Sequence, residues 1–237
     1  MKIRKSLGGA AAALSTVLLL AGCGIAGIGG SDDGVAEPPV QVGGAARNQI
    51  VGWDPCEVFG DHYDAMLEHL GYLKLRGNLL SKKVGAGVPY SHALCGTSVI
   101  WADDPKSEAG DPGGLVTISL IPENNPDEAT TKYGEMLAEA RDLFGEERAE
   151  KELTDGWDEG VLIFGAMIGD SYTALARDGS YLIEIHLETG ADLIHGTGTQ
   201  PGFTAKEAGD YLIDEALPNV RSTVREQLKA AGVSPDE

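Results

Sequence analysis

Residues 161–187 read VLIFGAMIGDSYTALARDGSYLIEIHL, and their reading decides the fold class. Val161 to Ile168 is a nearly continuous apolar run, while Ser171 to Arg177 and Ser180 to Leu187 are β-prone. Between the last two stands Asp178-Gly179, a pair that tolerates the positive φ of a two-residue hairpin turn. Alternation in the second arm places Tyr181, Ile183, Ile185 and Leu187 on one face, which is expected to lie against a helix bearing Met136 and Leu137. Glu184, His186 and Glu188 fall on the opposite face at steps of roughly 7 Å, too far apart for common metal ligation, and are expected to face solvent.

The same logic extends upstream and downstream. Leu115 to Ile121 alternates, with Val116, Ile118 and Leu120 on one face and Thr117 and Ser119 on the other. Asn125-Pro126-Asp127-Glu128 then opens a helix with a capping residue, a proline in the first turn and a glutamate three beyond the cap. Its expected buried stripe is Tyr133, Met136, Leu137, Ala140, Leu143 and Phe144. An earlier helix starts near Asp61, carries Tyr63, Met66, Leu67 and Leu70, and stops at Gly71. Residues 72–101 read as short strands and turns, Ser98 to Trp101 most clearly. Thr204 and Glu207 form a capping box for a last helical region that Pro218 should kink or divide. The order of elements predicts an α+β domain: one antiparallel sheet with helices packed on one face.

The first 22 residues belong to an export signal. Lys2, Arg4 and Lys5 precede an apolar core from Leu7 to Leu20, which is too short for a transmembrane span of about 20 residues. Leu20-Ala21-Gly22-Cys23 looks like a bacterial lipobox, cleaved between Gly22 and Cys23 with a diacylglycerol on the cysteine. The alternatives are an ordinary secretory signal or an uncleaved anchor. Residues 23–50 are Gly/Pro-rich, poor in large apolar side chains, and expected to form a flexible tether reaching about 30 Å. The globular domain is then expected over 51–232, with 233–237 as a tail.

Charge narrows the partners. With 18 Lys+Arg against 37 Asp+Glu the chain carries −19, and removing the signal leaves 15 bases against 37 acids, or −22. No general electrostatic attraction for nucleic acid exists on such a body. Between Glu68 and Asp103 there is no acid, and Lys74, Arg76, Lys82 and Lys83 fall close together, a candidate docking patch for an anionic headgroup, envelope polymer or acidic protein. With Cys23 reserved for lipid, Cys56 and Cys95 are expected to bridge in an oxidising compartment; two buried free thiols are the alternative, and a metal pair lacks further ligands at zinc-like spacing.

Cys23 at the lipobox, the Gly/Pro-rich tether, Asp54-Pro55-Cys56 before a helix, and Cys95 leading into a strand that ends at Trp101 resemble actinobacterial lipoproteins of an uncharacterised DPC-motif family. Members often carry a tryptophan close after the second cysteine, whereas here Gly96 follows it and Trp101 lies six residues on. The resemblance implies an exported, membrane-anchored α+β domain and no known activity.

Candidate chemistry is thin. His62 and His69 stand seven residues apart on one helix, about 10.5 Å along its axis, too far for one metal. Gly196 to Gly202 lacks the Lys-Ser/Thr ending of a phosphate loop, and Asp103, Asp104, Glu108 and Asp111 do not match EF-hand spacing. Neither a Gly-x-Ser-x-Gly elbow nor His-Glu-x-x-His occurs. The expectation is a non-catalytic binding or interaction module of the envelope, without cofactor or metal, tied to the membrane by its lipid. The competing reading is an envelope hydrolase in which His186 or His195 meets a carboxylate and a serine only in three dimensions.

Overall fold

In a computed structural model, which describes residues 44–74, 79–85, 91–101, 114–154, 156–166, 170–189 and 203–234, the Asp178-Gly179 hairpin is central to a single sheet. Its strands are β1 (Tyr72–Lys74), β2 (Leu80–Lys82), β3 (Ala93–Trp101), β4 (Gly114–Pro122), β5 (Ala149–Glu152), β6 (Glu159–Ala166), β7 (Asp170–Asp178) and β8 (Tyr181–Thr189). The order is β1-β3-β4-β8-β7-β6-β5, with β2 also on β3, and every pairing is antiparallel. The helices are α1 (Ala45–Ile50), α2 (Pro55–His69), α3 (Pro126–Phe144), α4 (Ala205–Tyr211) and α5 (Leu217–Ala230), the last two joined by a π-helical turn at Leu212–Ala216. The α+β class and the antiparallel sheet are thus as the patterning predicts.

The layering is not. Tyr181, Ile183, Ile185 and Leu187 of β8 pack with Val116, Ile118 and Leu120 of β4 beneath α2 and α5, in a core that also holds Tyr63, Met66, Val220 and Val224. Met136 and Leu137 lie on the other side, where α3 covers Ile121, Val161, Ile163, Leu175 and Leu182. Helices therefore cover both faces, not one. The reason is legible in hindsight at residues 161–163, where Val161 and Ile163 enter one core and Leu162 the other. A run without polar alternation belongs to a strand buried on both sides.

Several boundaries shift for local reasons. Residues 45–50, expected to be tether, form α1, and its Ala46 and Ile50 are fully buried. Gly44 permits this docking, because a Cβ there would sit 2.1 Å from the Asn124 carbonyl oxygen. The second helix starts at Pro55 rather than near Asp61, since Asp54 accepts from the Cys56 and Glu57 amides and proline suits the first turn. Leu143, expected in the α3 stripe, is 56% exposed. Pro218 divides the last helix without ending it. Proline has no N–H to give and its ring crowds the carbonyl four residues back. The chain widens one turn instead, with the Leu217 amide donating to the Leu212 carbonyl.

Candidate functional site

One face of the sheet changes character along β8. Under α3 it is apolar at Leu182, at its β4 partner Ile121 and at Leu175 of β7, with Arg177 opposite Leu182 at the sheet end. Past Leu182 the same face continues with Glu184, His186 and Glu188, which pair with Ser119, Thr117 and Leu115 of β4. On the β7 side their partners are Leu175, Thr173 and Ser171. A helix is about 10 Å across and strands are spaced about 4.8 Å, so one helix covers about two strand spacings. Among the described residues α3 is the helix on this face, packing on β6, β7 and β8 and reaching Ile121 near the end of β4.

These polar residues do not form the solvated surface that alternation suggests. Ser119, Thr173 and Ser171 are 2%, 3% and 0% exposed, and Glu184, His186 and Glu188 are half-buried. Thr173 Oγ1 and His186 Nδ1 are hydrogen-bonded at 3.0 Å. Burial lowers the His186 pKa against the opposing pull of Glu188, so the ring favours its neutral form. Glu184 moves the other way: burial raises its pKa and the nearby Glu139 of α3 raises it further. Among the described residues Glu184 has no hydrogen-bond or ion-pair partner, and the fully enclosed Ser171 hydroxyl has none either. Desolvated polar groups left unpaired cost stability, and a perturbed acid beside a perturbed histidine on one face marks a functional-site candidate.

The arrangement offers acceptors and a neutral imidazole on a rigid floor. It does not offer a nucleophile and base in contact. The His186 partner is a threonine, while Ser171 lies two residues further along β7, roughly 7 Å away. Among the described residues no group of three His, Cys, Asp or Glu side chains could hold a metal ion. A separate cleft of about 440 Å³ opens at the π-helical turn, walled by Phe203, Tyr211 and His69 with Asp214 and Glu215 on its rim.

The other sequence-predicted positions resolve individually. Cys56 and Cys95 are disulfide-bonded, with Cα atoms 4.9 Å apart, joining the first turn of α2 to β3. Asp54 caps α2 and also accepts from the Ser81 hydroxyl on β2, so Asp-Pro-Cys packs a cap, a first-turn proline and a cross-link into one junction. Gly96 beside it is required by close strand approach, since a Cβ would lie 2.6 Å from the Val116 carbonyl oxygen. His62 and His69 serve packing: His62 Nε2 lies 2.6 Å from Thr223 Oγ1, and His69 stacks on Tyr211 with ring centroids 3.8 Å apart. The basic cluster is not brought together by the described residues. Lys74 pairs with Val99 and Lys82 with Leu94, five residues apart on β3 or about 17 Å. Lys83 is exposed at the end of β2. Gly22, Cys23, Arg76, Asp103, Asp104, Glu108, Asp111, His195 and the 196–202 loop lie outside the described residues.

Sequence reasoning named Glu184, His186 and Glu188 but missed Ser171 and Thr173. The available signal was Ser171-Tyr172-Thr173, an alternation that puts two hydroxyls on one face of a central strand. Among the described residues, no helix is long and apolar enough to cross a membrane. No protein-family model matches the chain, and no curated protein matches it.

Proposed function

We propose that this chain is an exported lipoprotein, held at the extracytoplasmic face of the cell membrane by a diacylglyceryl group on Cys23, and that its domain is a non-catalytic binding module of the envelope. Support for the address comes from the basic n-region, the short apolar core and Leu20-Ala21-Gly22-Cys23. The resemblance to actinobacterial DPC-motif lipoproteins points the same way, and Asp54-Pro55-Cys56 and Cys95 meet in one cross-linked junction. An acyl anchor contributes about 0.8 kcal/mol per buried methylene, so the acidic body needs no membrane-binding surface of its own.

The observation that carries the binding reading is the polar half of the β8 face. Glu184, His186, Thr173 and Ser171 are gathered under burial, with an acid and a hydroxyl lacking partners. Residues placed only for stability would have continued the apolar floor begun by Leu182 and Leu175. The ligand is therefore a small polar molecule met by hydrogen bonds on the sheet, not nucleic acid.

Two experiments test this. Growth with a labelled fatty acid should label the wild-type protein and not Cys23→Ala; equal labelling refutes the anchor. Incubation of the purified full-length protein with an envelope extract, followed by native mass spectrometry, should reveal a bound small molecule that the Glu184→Gln/His186→Gln variant fails to retain. Consumption of that molecule with release of a product would replace the binding reading with the hydrolase reading.

A further inference from the structure

The polar half of the β8 face gathers acceptors, and among the described residues the same-face cation beside it, Arg177 of β7, is taken by Asp158 and Glu159. Glu184 is central. Its cross-strand neighbours are Ser119 and Leu175, neither of which can carry charge, and the α3 side chain that acts on it is another acid, Glu139. Two residues on, His186 is held neutral by burial and bonded to the Thr173 hydroxyl. Two more residues on, Glu188 stands opposite Ser171, whose hydroxyl is fully enclosed and without a partner. Carboxylates, a neutral imidazole and hydroxyls can all accept hydrogen bonds. Among the described residues no lysine or arginine forms an ion pair with Glu139, Glu184 or Glu188.

We propose that this face binds a small amine-bearing ligand, with Glu184 as counter-ion to its ammonium group. The inference rests on the binding-module reading above and adds the chemical class of the ligand. An ammonium ion supplies what the site lacks, a compact charge carrying several donors, and an ion pair away from bulk water is stronger than one at the surface. The acidic body raises the local concentration of cations and speeds their arrival. A neutral diol would satisfy the hydroxyls but leave Glu184 without a counter-charge, and a carboxylate ligand would meet like charge.

A proton accompanies the binding. In the free protein burial and Glu139 favour protonated Glu184. An ammonium neighbour favours the carboxylate, so binding expels the proton to buffer. The other titratable groups on this face among the described residues are His186 and Glu188 of β8, Arg177 of β7 with its partner Glu159 of β6, Lys82 of β2 in the same cross-strand row, and Tyr133 and Glu139 of α3; the positions Thr117, Ser119, Leu175, Thr173 and Ser171 carry none. Bringing a cation near His186 holds it neutral, so it takes up no proton to cancel the release.

The test uses the full-length lipidated protein in detergent, with putrescine, 1,4-butanediol and succinate as probes. Calorimetry in two buffers of different ionisation enthalpy counts protons, and the His186 ring signals in NMR report on the site. Putrescine should bind, shift those signals and release protons. Glu184→Gln should weaken it by about thirtyfold or more and abolish the release. Glu146→Gln, which removes one exposed acid elsewhere, should leave both unchanged. Equal putrescine binding in wild type, Glu184→Gln and Glu146→Gln would show attraction by net charge alone and overturn the inference. Butanediol or succinate shifting the His186 signals while putrescine does not would overturn the amine class and leave the binding site standing. No shift with any probe, together with no ligand retained from envelope extract, would overturn both.

Discussion

Asp178 ends β7, paired with Tyr181 across a turn at Gly179-Ser180 rather than at Asp178-Gly179, and its side chain has a task that a mutation can isolate. Its side chain is 3% exposed and accepts from Tyr181 Oη at 2.6 Å, from Arg221 Nε at 2.9 Å and from Arg225 Nε at 2.6 Å. Burial alone would raise the pKa of this carboxyl, but the bonds from Arg225, Arg221 and Tyr181 outweigh it and bring it to about 2. Relative to an ordinary value of 3.8, at about 1.36 kcal/mol per pH unit, the charged form is favoured by roughly 2 kcal/mol. Asp178→Asn removes this and leaves two guanidinium groups without their acceptor. Breaking a buried pair from one side costs about 3–5 kcal/mol. The lower end applies, because Arg225 is 47% exposed and can turn to water, and Arg221 keeps its place 4.5 Å over the Trp157 ring. The expected loss is therefore about 3 kcal/mol. In urea at pH 7 under non-reducing conditions, with a slope of about 2 kcal/mol/M, the midpoint should fall by about 1.5 M. The pH dependence is more telling. A lowered pKa contributes stability that is present above about pH 4 and lost as pH falls through about 2. The gap between wild type and Asp178→Asn should accordingly narrow between pH 4 and pH 2. A gap under about 0.5 kcal/mol at pH 7, or one that stays constant down to pH 2, would refute the assignment of Asp178 as the clamp on α5.

Other consequences follow from burial and connectivity. Changing Cys56 and Cys95 together to Ser should cost about 4 kcal/mol, the chain-entropy value for a separation of 39 residues, read from the urea midpoint against the oxidised wild type. Ile183→Ala and Leu182→Ala should each cost about 2–5 kcal/mol, because the two side chains enter different cores; a small effect at Leu182 would mean that α3 does not cover this face. Glu184→Gln should stabilise the protein at neutral pH and lose that advantage on acidification. Its raised folded pKa means that wild-type stability falls as pH rises from the unfolded value towards the folded one, and denaturant curves at pH 4 and pH 7 measure the sign.

Much of this fold is readable because the local signals are redundant. Asp178-Gly179 marks the hairpin, and the alternation of Tyr181 to Leu187 assigns its faces; Asn125 with Glu128 and Thr204 with Glu207 mark the helix starts, and each cap is formed. The misreadings arise where a signal has no direction. Alternation says which residues of β8 share a face, but not which helix meets that face. Both candidate helices are amphipathic, so Met136 and Leu137 can be placed on either side without violating any local rule. The unalternating run at Val161 to Phe164 could have decided the matter, since a strand buried on both faces requires cover on both. The start of α2 was missed for a different reason. Asp61 and Asp54 are both acceptable caps, and only the proline that follows Asp54 distinguishes the one that is used.

The site was half legible, and the limit is physical. A polar strand face reads the same whether it meets water or the floor of an enclosed site, because its period reports contrast and not surroundings. Glu184, His186 and Glu188 were therefore found by pattern and misassigned by environment. α3 covers the face at Leu175 and Leu182, and Glu184, opposite Leu175 and acted on by Glu139 of α3, lies at the edge of that cover. Ser171 and Thr173 follow the same rule on the neighbouring strand, so the boundary crosses β7 and β8 together. A boundary shared by two strands that are paired in space and separated by a turn in sequence is a property of the folded sheet. That shared boundary is the strongest reason to treat these residues as one site.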